Sequence, residues 1–249
     1  MITVLRCRGI GEARHDNMLS QVTRHLDPAR FRAREVPWEA TYGPIGGGPG
    51  GVSYGRALAN GRKLLIDTIR ADPYPVVLLG YSGGAALAGN VAAEIALGNW
   101  KELDVRGVGL VSDPLTPKVV NREGWGIAGS RWIGSAFPVW HMSDPADVIA
   151  RCPADSPLRT IADQSAAFAL GDLRSWGWDL IDRLRQNRWQ ATIADWRNTR
   201  EVWRTYGKAI DDARGYLTGD HTSYDTRLHP GSTRTYCEWL ADRINEVRE

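Results

Sequence analysis

Two periods alternate along the chain. Ile2 to Cys7 (ITVLRC) is β-branched and apolar and stops at Gly9 and Gly11, which predicts a buried strand and a glycine turn. A helix is expected over about 16–25, then a short strand near Val36-Pro37-Trp38. Six glycines and two prolines between Gly43 and Gly51 predict a loop. Ser53 is placed to cap a helix running to about Ala71, with Leu58, Leu64, Leu65, Thr68 and Ile69 on its inner side. Pro75 to Leu79 (PVVLL) is a compact apolar run of the kind found in central parallel strands. An alanine-rich helix follows over Ala85 to Leu97. Val105 to Val111 and Phe137 to Met142 predict a fourth and fifth strand, joined by a glycine- and tryptophan-containing connection over Thr116 to Ser135. Strands alternating with helices imply a parallel sheet.

The pattern changes after about Ser156. No strand is visible as far as Tyr216, helical segments dominate, and five of the eleven tryptophans fall here. Trp189, Trp196, Trp203 and Ile210 recur every seven residues and would share one face of a continuous helix. Gly219 to Tyr224 reads as a loop, and a final amphipathic helix is expected over about Thr233 to Arg248. The organisation predicted is a core of residues 1–155 and 217–249 interrupted by a helical, tryptophan-rich insertion at 156–216.

Composition narrows the function classes. At 249 residues, 43% hydrophobic and 24% charged, the chain can build one sizeable core with an insertion. The net charge of +2 comes with scattered arginines, so no nucleic-acid partner is implied. No apolar run is long enough to span a bilayer, and the first residues lack the features of a secretory signal. A chain that stays cytosolic, or leaves by a route other than a cleaved signal, is expected. Cys7, Cys152 and Cys237 are an odd set without a local pair, which argues against a disulfide framework. Neither CxxC nor HExxH occurs, so no zinc site is expected.

The candidate chemistry starts at Gly80-Tyr81-Ser82-Gly83-Gly84. A G-x-S-x-G between a strand and a helix puts serine on a turn too tight for flanking Cβ atoms and lifts its Oγ above the sheet, with a helix N-terminus behind it. Gly51-Val52-Ser53-Tyr54-Gly55 matches the same pattern. Context separates them: Ser53 follows a loop and begins a helix, whereas Ser82 follows an apolar strand. A serine nucleophile in such a turn takes an acid and then a histidine later in the chain. His221 stands in a loop before the last helix, His229 is near the same helix but precedes Pro230, and His141 falls in the fifth strand, ahead of the expected acid. For the acid, Asp113, Asp144 and Asp147 all follow strands. Chain order alone leaves Asp144 and Asp147 level, and His229 beside His221.

Four short motifs resemble those of cutinases. Arg8-Gly9-Ile10-Gly11-Glu12 is similar to the ARG[ST]xE turn, and Gly80 to Gly84 to the GYSQG elbow. Ala146-Asp147-Val148-Ile149 with Cys152 resembles the GDxVC acid loop, and His221-Thr222-Ser223-Tyr224 the H-x-x-Y base segment. Within that superfamily the chain most resembles phage lysin B enzymes, esterases that detach mycolic acids from arabinogalactan. The resemblance implies an α/β-hydrolase, cutinase-like fold with a helical insertion between acid and base, acting as a monomer without metal or organic cofactor. It implies the triad Ser82, Asp147 and His221, with the backbone N–H groups of Gly83 and Ile10 as oxyanion donors. Ile10 stands where the family has Ser or Thr, and Gly83 where it has Gln, so only backbone donors are available here. The implied substrate is a lipid ester of the cell envelope, mycolyl-arabinogalactan, reached from the host cytoplasm on release during lysis. Trp196 and Trp203 are candidates for lining an acyl groove, the alternative being that this stripe is packed core. The glycines of 46–51 are a candidate rim of the same site, or a plain surface loop.

Overall fold

The strand predicted at the start of the chain, β1 (Ile2–Cys7), pairs in parallel with two others, and its side chains serve two cores. Ile2 and Val4 point to one face of the sheet and Leu5 and Cys7 to the other, the period of two expected of a strand buried on both faces. The structure, a computed structural model, describes residues 1–41, 47, 50–159, 208–209, 211–212, 214–216 and 218–248. The remaining strands are β2 (Phe31–Glu35), β3 (Val76–Tyr81), β4 (Val105–Val111) and β5 (Val139–Met142). They form one sheet in the order β2-β1-β3-β4-β5, with every neighbouring pair parallel.

Helices cover both faces. On one side, α2 (Tyr54–Arg70) and α3 (Gly83–Ala96) pack through Leu65, Ile69, Leu87 and Val91 onto Leu5, Val76 and Leu78. On the other, α1 (Met18–Thr23) and α4 (Tyr236–Asn245) pack through Leu19, Val22, Leu240 and Ile244 onto Val4, Val77 and Leu79. Each such fully buried aliphatic side chain contributes about 1.5–3 kcal/mol relative to exposure. The helix starts are set by capping residues. Ser53 accepts the Arg56 N–H, as its position before α2 implied, and Thr235 and Glu238 form a reciprocal capping box on α4. α1 begins at Met18, capped by Asn17, and is shorter than the expected 16–25.

One strand lies elsewhere than expected. The second strand is Phe31–Glu35 rather than 36–38, registered along Ile2 to Arg6. It is an edge strand whose sequence, FRARE, buries only Phe31, so hydropathy does not mark it. Arg32 and Arg34 instead pair with Asp72. Val36 and Trp38 are buried just past the strand end, where the Trp38 indole donates to the Arg8 carbonyl (3.2 Å).

Cys7, Cys152 and Cys237 are all buried free thiols. Among the described residues no helix is long and apolar enough to cross a membrane. The expected insertion at 156–216 lies mostly outside the described residues, and Trp189, Trp196, Trp203 and Ile210 all do. So does most of the glycine-rich 43–51.

Candidate active site

The strand order reverses between β1 and β3: the chain leaves β1 toward β2 on one side and returns to β3 on the other. In open parallel sheets this is where ligands sit, at the carboxyl ends of the strands. Both β1 and β3 end here, β1 in the turn Arg8-Gly9-Ile10 and β3 in Ser82.

Ser82 occupies a sharp turn, with φ 53° and ψ −119°. The turn is possible because of the glycines on either side. A Cβ on Gly80 would lie 2.5 Å from the Ala85 Cα, and one on Gly84 would collide with the carbonyl oxygens of Cys7 and Arg8. The turn is anchored by the Ser82 N–H donating to the Val111 carbonyl (3.0 Å), and the Ser82 carbonyl accepts from Ala85 and Ala86 as α3 begins. Ser53, the other match to the motif, only caps α2.

Gly83 is the first residue of α3, and the Ile10 side chain lies directly over it: a Cβ at position 83 would stand 2.7 and 2.8 Å from Ile10 Cγ1 and Cδ1. The two residues named as backbone donors are therefore neighbours. Among the described residues neither N–H donates to a protein acceptor. The turn carrying Ile10 is pinned by Glu12, whose carboxylate accepts from Gly9 N–H (2.7 Å) and Met18 N–H (2.9 Å). Burial raises the Glu12 pKa, while those two hydrogen bonds and the neighbouring His221 and Arg8 draw it back down in part.

His221 lies in a 3-10 turn (Asp220–Thr222) and is buried. Its Nε2 is 3.0 Å from Ser82 Oγ. The ring stacks on Tyr81 with centroids 5.1 Å apart, and the Tyr81 hydroxyl donates to the His221 carbonyl (2.9 Å). On the far side, Nδ1 is 3.2 and 3.3 Å from the two Asp147 oxygens and 2.9 Å from Ser112 Oγ.

Asp147 has no exposed surface. Its Oδ2 accepts from the hydroxyls of Ser112 and Tyr224, the latter at 2.8 Å, and its Oδ1 from the Ile149 N–H (3.0 Å). Burial pushes the carboxyl pKa up. The facing His221 and the hydrogen bonds from His221, Ser112 and Tyr224 outweigh it and hold the group below the usual aspartate value.

The other candidates sit elsewhere. Asp144 pairs with Arg227 (2.8 Å), whose other nitrogen reaches Asp220 (2.7 Å), so this arginine clips the loop carrying Asp144 and Asp147 to the His221 turn. Asp113 is buried against Arg131 (2.5 Å), which also donates to the Ala86 carbonyl and to Asn90 beneath α3. His141 lies 3.8 Å from Asp113. His229 stacks on Trp239 with centroids 4.3 Å apart. Trp196 and Trp203 lie outside the described residues.

Sequence reasoning assigned no role to Ser112, Tyr81 or Arg227, and quoted Tyr224 and Glu12 only as motif letters. For Ser112 a signal existed: like Ser82, it is the first residue past the carboxyl end of an inner strand.

The doubly covered parallel sheet, the strand-turn-helix elbow and the histidine turn ahead of the last helix define an α/β-hydrolase fold. No protein-family model matches the chain, and no curated protein sequence matches it. Solved structures do. The chain is similar to lysin B from Mycobacteriophage D29 over 98% of its own length and 97% of that chain, with TM-score 0.54 and 16% identity. It is similar over 68% of its length to the catalytic core domain of acetyl xylan esterase from Trichoderma reesei (95% of that chain, TM-score 0.45, 16% identity). A cutinase-like protein from Cryptococcus sp. is similar over 69% (95% of that chain, TM-score 0.43, 18% identity). At these identities the likeness is one of fold.

Proposed function

We propose that the protein is a serine esterase that works through Ser82, His221 and Asp147 and hydrolyses the ester linking mycolic acids to arabinogalactan. The observation that carries the reaction class is the line Ser82 Oγ, His221 Nε2, His221 Nδ1, Asp147, with steps of 3.0 and 3.2 Å. Gly83, next in the chain to Ser82, and Ile10, whose side chain lies over Gly83, carry backbone N–H groups that donate to no acceptor among the described residues.

Ser82 Oγ attacks the ester carbonyl carbon while His221 Nε2 takes its proton. The oxyanion is held by the N–H groups of Gly83 and Ile10. The alcohol leaves with the proton from Nε2 and an acyl-enzyme remains. Water then gives a proton to Nε2 and attacks the acyl carbon, and the acid is released as the proton returns to Ser82. Asp147 keeps a proton on Nδ1, so that Nε2 is free to accept, and stabilises the imidazolium.

The substrate rests on the four cutinase-like motifs and on the end-to-end likeness of fold to a lysin B. In this reading the protein works as a monomer, made in a host cell and acting at the envelope on lysis. Trp196 and Trp203 contact the acyl chain. Purified protein should release mycolic acids from mycolyl-arabinogalactan, and Ser82→Ala should not. Hydrolysis of tributyrin with no release from mycolyl-arabinogalactan would move the substrate to small lipid esters while leaving the triad intact. Trp196→Ala should weaken hydrolysis of long-chain esters more than short-chain ones.

A further inference from the structure

Two serines bracket His221. Ser82 and Ser112 are the first residues past the adjacent strands β3 and β4, and both have left-handed backbone, φ 53° and 50°. Ser82 Oγ meets Nε2 at 3.0 Å and Ser112 Oγ meets Nδ1 at 2.9 Å. On its other side the Ser112 hydroxyl bonds Asp147 Oδ2. Nδ1 is therefore nearer to Ser112 than to either oxygen of the acid, at 3.2 and 3.3 Å.

The roles of these atoms follow from their chemistry. Asp147, ionised, only accepts, and the Ser112 hydroxyl donates to it. With its one proton so used, Ser112 Oγ can only accept from Nδ1. That requires the proton on Nδ1 and leaves Nε2 as the acceptor facing Ser82. If Ser112 turned its proton to Nδ1 instead, it would lose its bond to a buried anion, the stronger of the two.

The position is also one that glycine would fill more easily. A left-handed φ disfavours every residue with a Cβ, and Ser112 has no exposed surface. Its backbone is held independently of its side chain, since its N–H donates to the Met142 carbonyl (2.9 Å). The fold thus tolerates local strain to keep a hydroxyl between the acid and the base.

We infer that Ser112 is a positioning residue of the proposed esterase: its hydroxyl relays Asp147 to His221 and fixes the tautomer in which Nε2 accepts the Ser82 proton. No proton is transferred through it. When Nε2 takes the Ser82 proton, Nδ1 keeps its own and goes on donating to Ser112 Oγ, and the hydroxyl proton stays on Oγ.

The inference rests on the esterase reading, and two kinds of measurement keep them apart. The first is kinetic. Ser112→Gly removes the hydroxyl and relieves the backbone, and Ser112→Ala removes the hydroxyl alone. Both should lower kcat on p-nitrophenyl esters about 10- to 100-fold, with KM within about twofold, and Ser112→Gly, which relieves the positive φ, should melt above Ser112→Ala. In an Asp147→Asn background Ser112→Gly should cost no further activity, because the relay is already broken and the Ser112 proton, turned to Nδ1, no longer supports the working tautomer. The second is spectroscopic and needs no activity. In 15N-histidine-labelled protein the Nδ1–H signal of His221 should be present in wild type and weakened or lost in Ser112→Gly. A wild-type protein without esterase activity that still shows this change would overturn the esterase reading and leave the relay standing. Unchanged kcat with an unchanged Nδ1–H signal would overturn the relay. So would kcat losses in both variants that merely track a lowered melting temperature.

Discussion

Replacing Asp147 by asparagine changes a carboxylate oxygen to an NH2 group and little else in shape. The surroundings make that change severe. Four donors converge on the two oxygens: the hydroxyls of Ser112 and Tyr224, the Ile149 N–H and His221 Nδ1. The Ile149 N–H cannot rotate, so the amide oxygen must stay at Oδ1 and the NH2 must take the Oδ2 position. There it faces two hydroxyls and Nδ1. A hydroxyl displaced from Oδ2 turns its proton elsewhere, and for Ser112 the nearest acceptor is Nδ1 at 2.9 Å. Accepting at Nδ1 forces the proton onto Nε2, where it faces Ser82 Oγ as a donor instead of a base. In a triad that tautomer error lowers kcat by about 10⁴-fold. The lost charge-assisted hydrogen bonding is worth roughly 2 kcal/mol, or about 4–8 °C in Tm for a chain of this size. Asp144→Asn is the control. Its partner Arg227 is 37% exposed, so the pair is screened by solvent and contributes at most about 1 kcal/mol. It should keep kcat within about threefold. The assay is steady-state hydrolysis of a p-nitrophenyl ester with melting curves for both variants. Comparable kcat losses for the two, or the larger loss for Asp144→Asn, would refute the assignment of the acid.

Gly83→Ala should force the Ile10 side chain off the helix start and lower kcat/KM by about 10-fold or more, since one oxyanion donor is worth about 10²–10³-fold in rate. Ile10→Ala in the same chain should recover most of it; a double variant no better than Gly83→Ala would refute the idea that the two residues are fitted to each other. A second prediction concerns pH. Burial, with Arg131 and Arg122 adding to it and Asp113 opposing, lowers the His141 pKa from 6.5 to about 4. The unfolded chain therefore binds this proton first. The contribution to stability is complete above pH 6.5 and is lost as pH falls toward 4. Between pH 7 and pH 5 the loss is about 2 kcal/mol, and His141→Gln should remove it from urea-unfolding curves. Equal pH slopes in both proteins would contradict this.

Much of the frame was readable in the chain because it is local. β1, β3 and β4 are apolar runs bounded by glycine or a turn, the cap residue Ser53 precedes an amphipathic pattern, and the elbow's glycines fit a single backbone geometry. Where reading failed, the cause lay elsewhere in the chain. β2 is polar because its side chains past Phe31 are largely exposed, and its arginines answer to Asp72, far along the sequence. Asp144 and Asp147 look alike locally: each accepts the N–H two residues on, from Ala146 and Ile149 respectively. What distinguishes them arrives from the other end of the chain, Arg227 to Asp144 and His221 with Tyr224 to Asp147. His229 is set apart from His221 by its stacking on Trp239. The Ile10 and Gly83 departures from the cutinase motifs, read one at a time, look like two losses; in space they are one contact.

The central claim is that Ser82 is an activated nucleophile. A fluorophosphonate probe incubated with the purified protein, followed by peptide mass spectrometry, tests it most directly. One equivalent of label on the peptide containing Ser82, absent in Ser82→Ala and strongly slowed in His221→Ala, is the expected result. No labelling of the folded protein, or labelling at Ser53 or another serine that persists in Ser82→Ala, would contradict it.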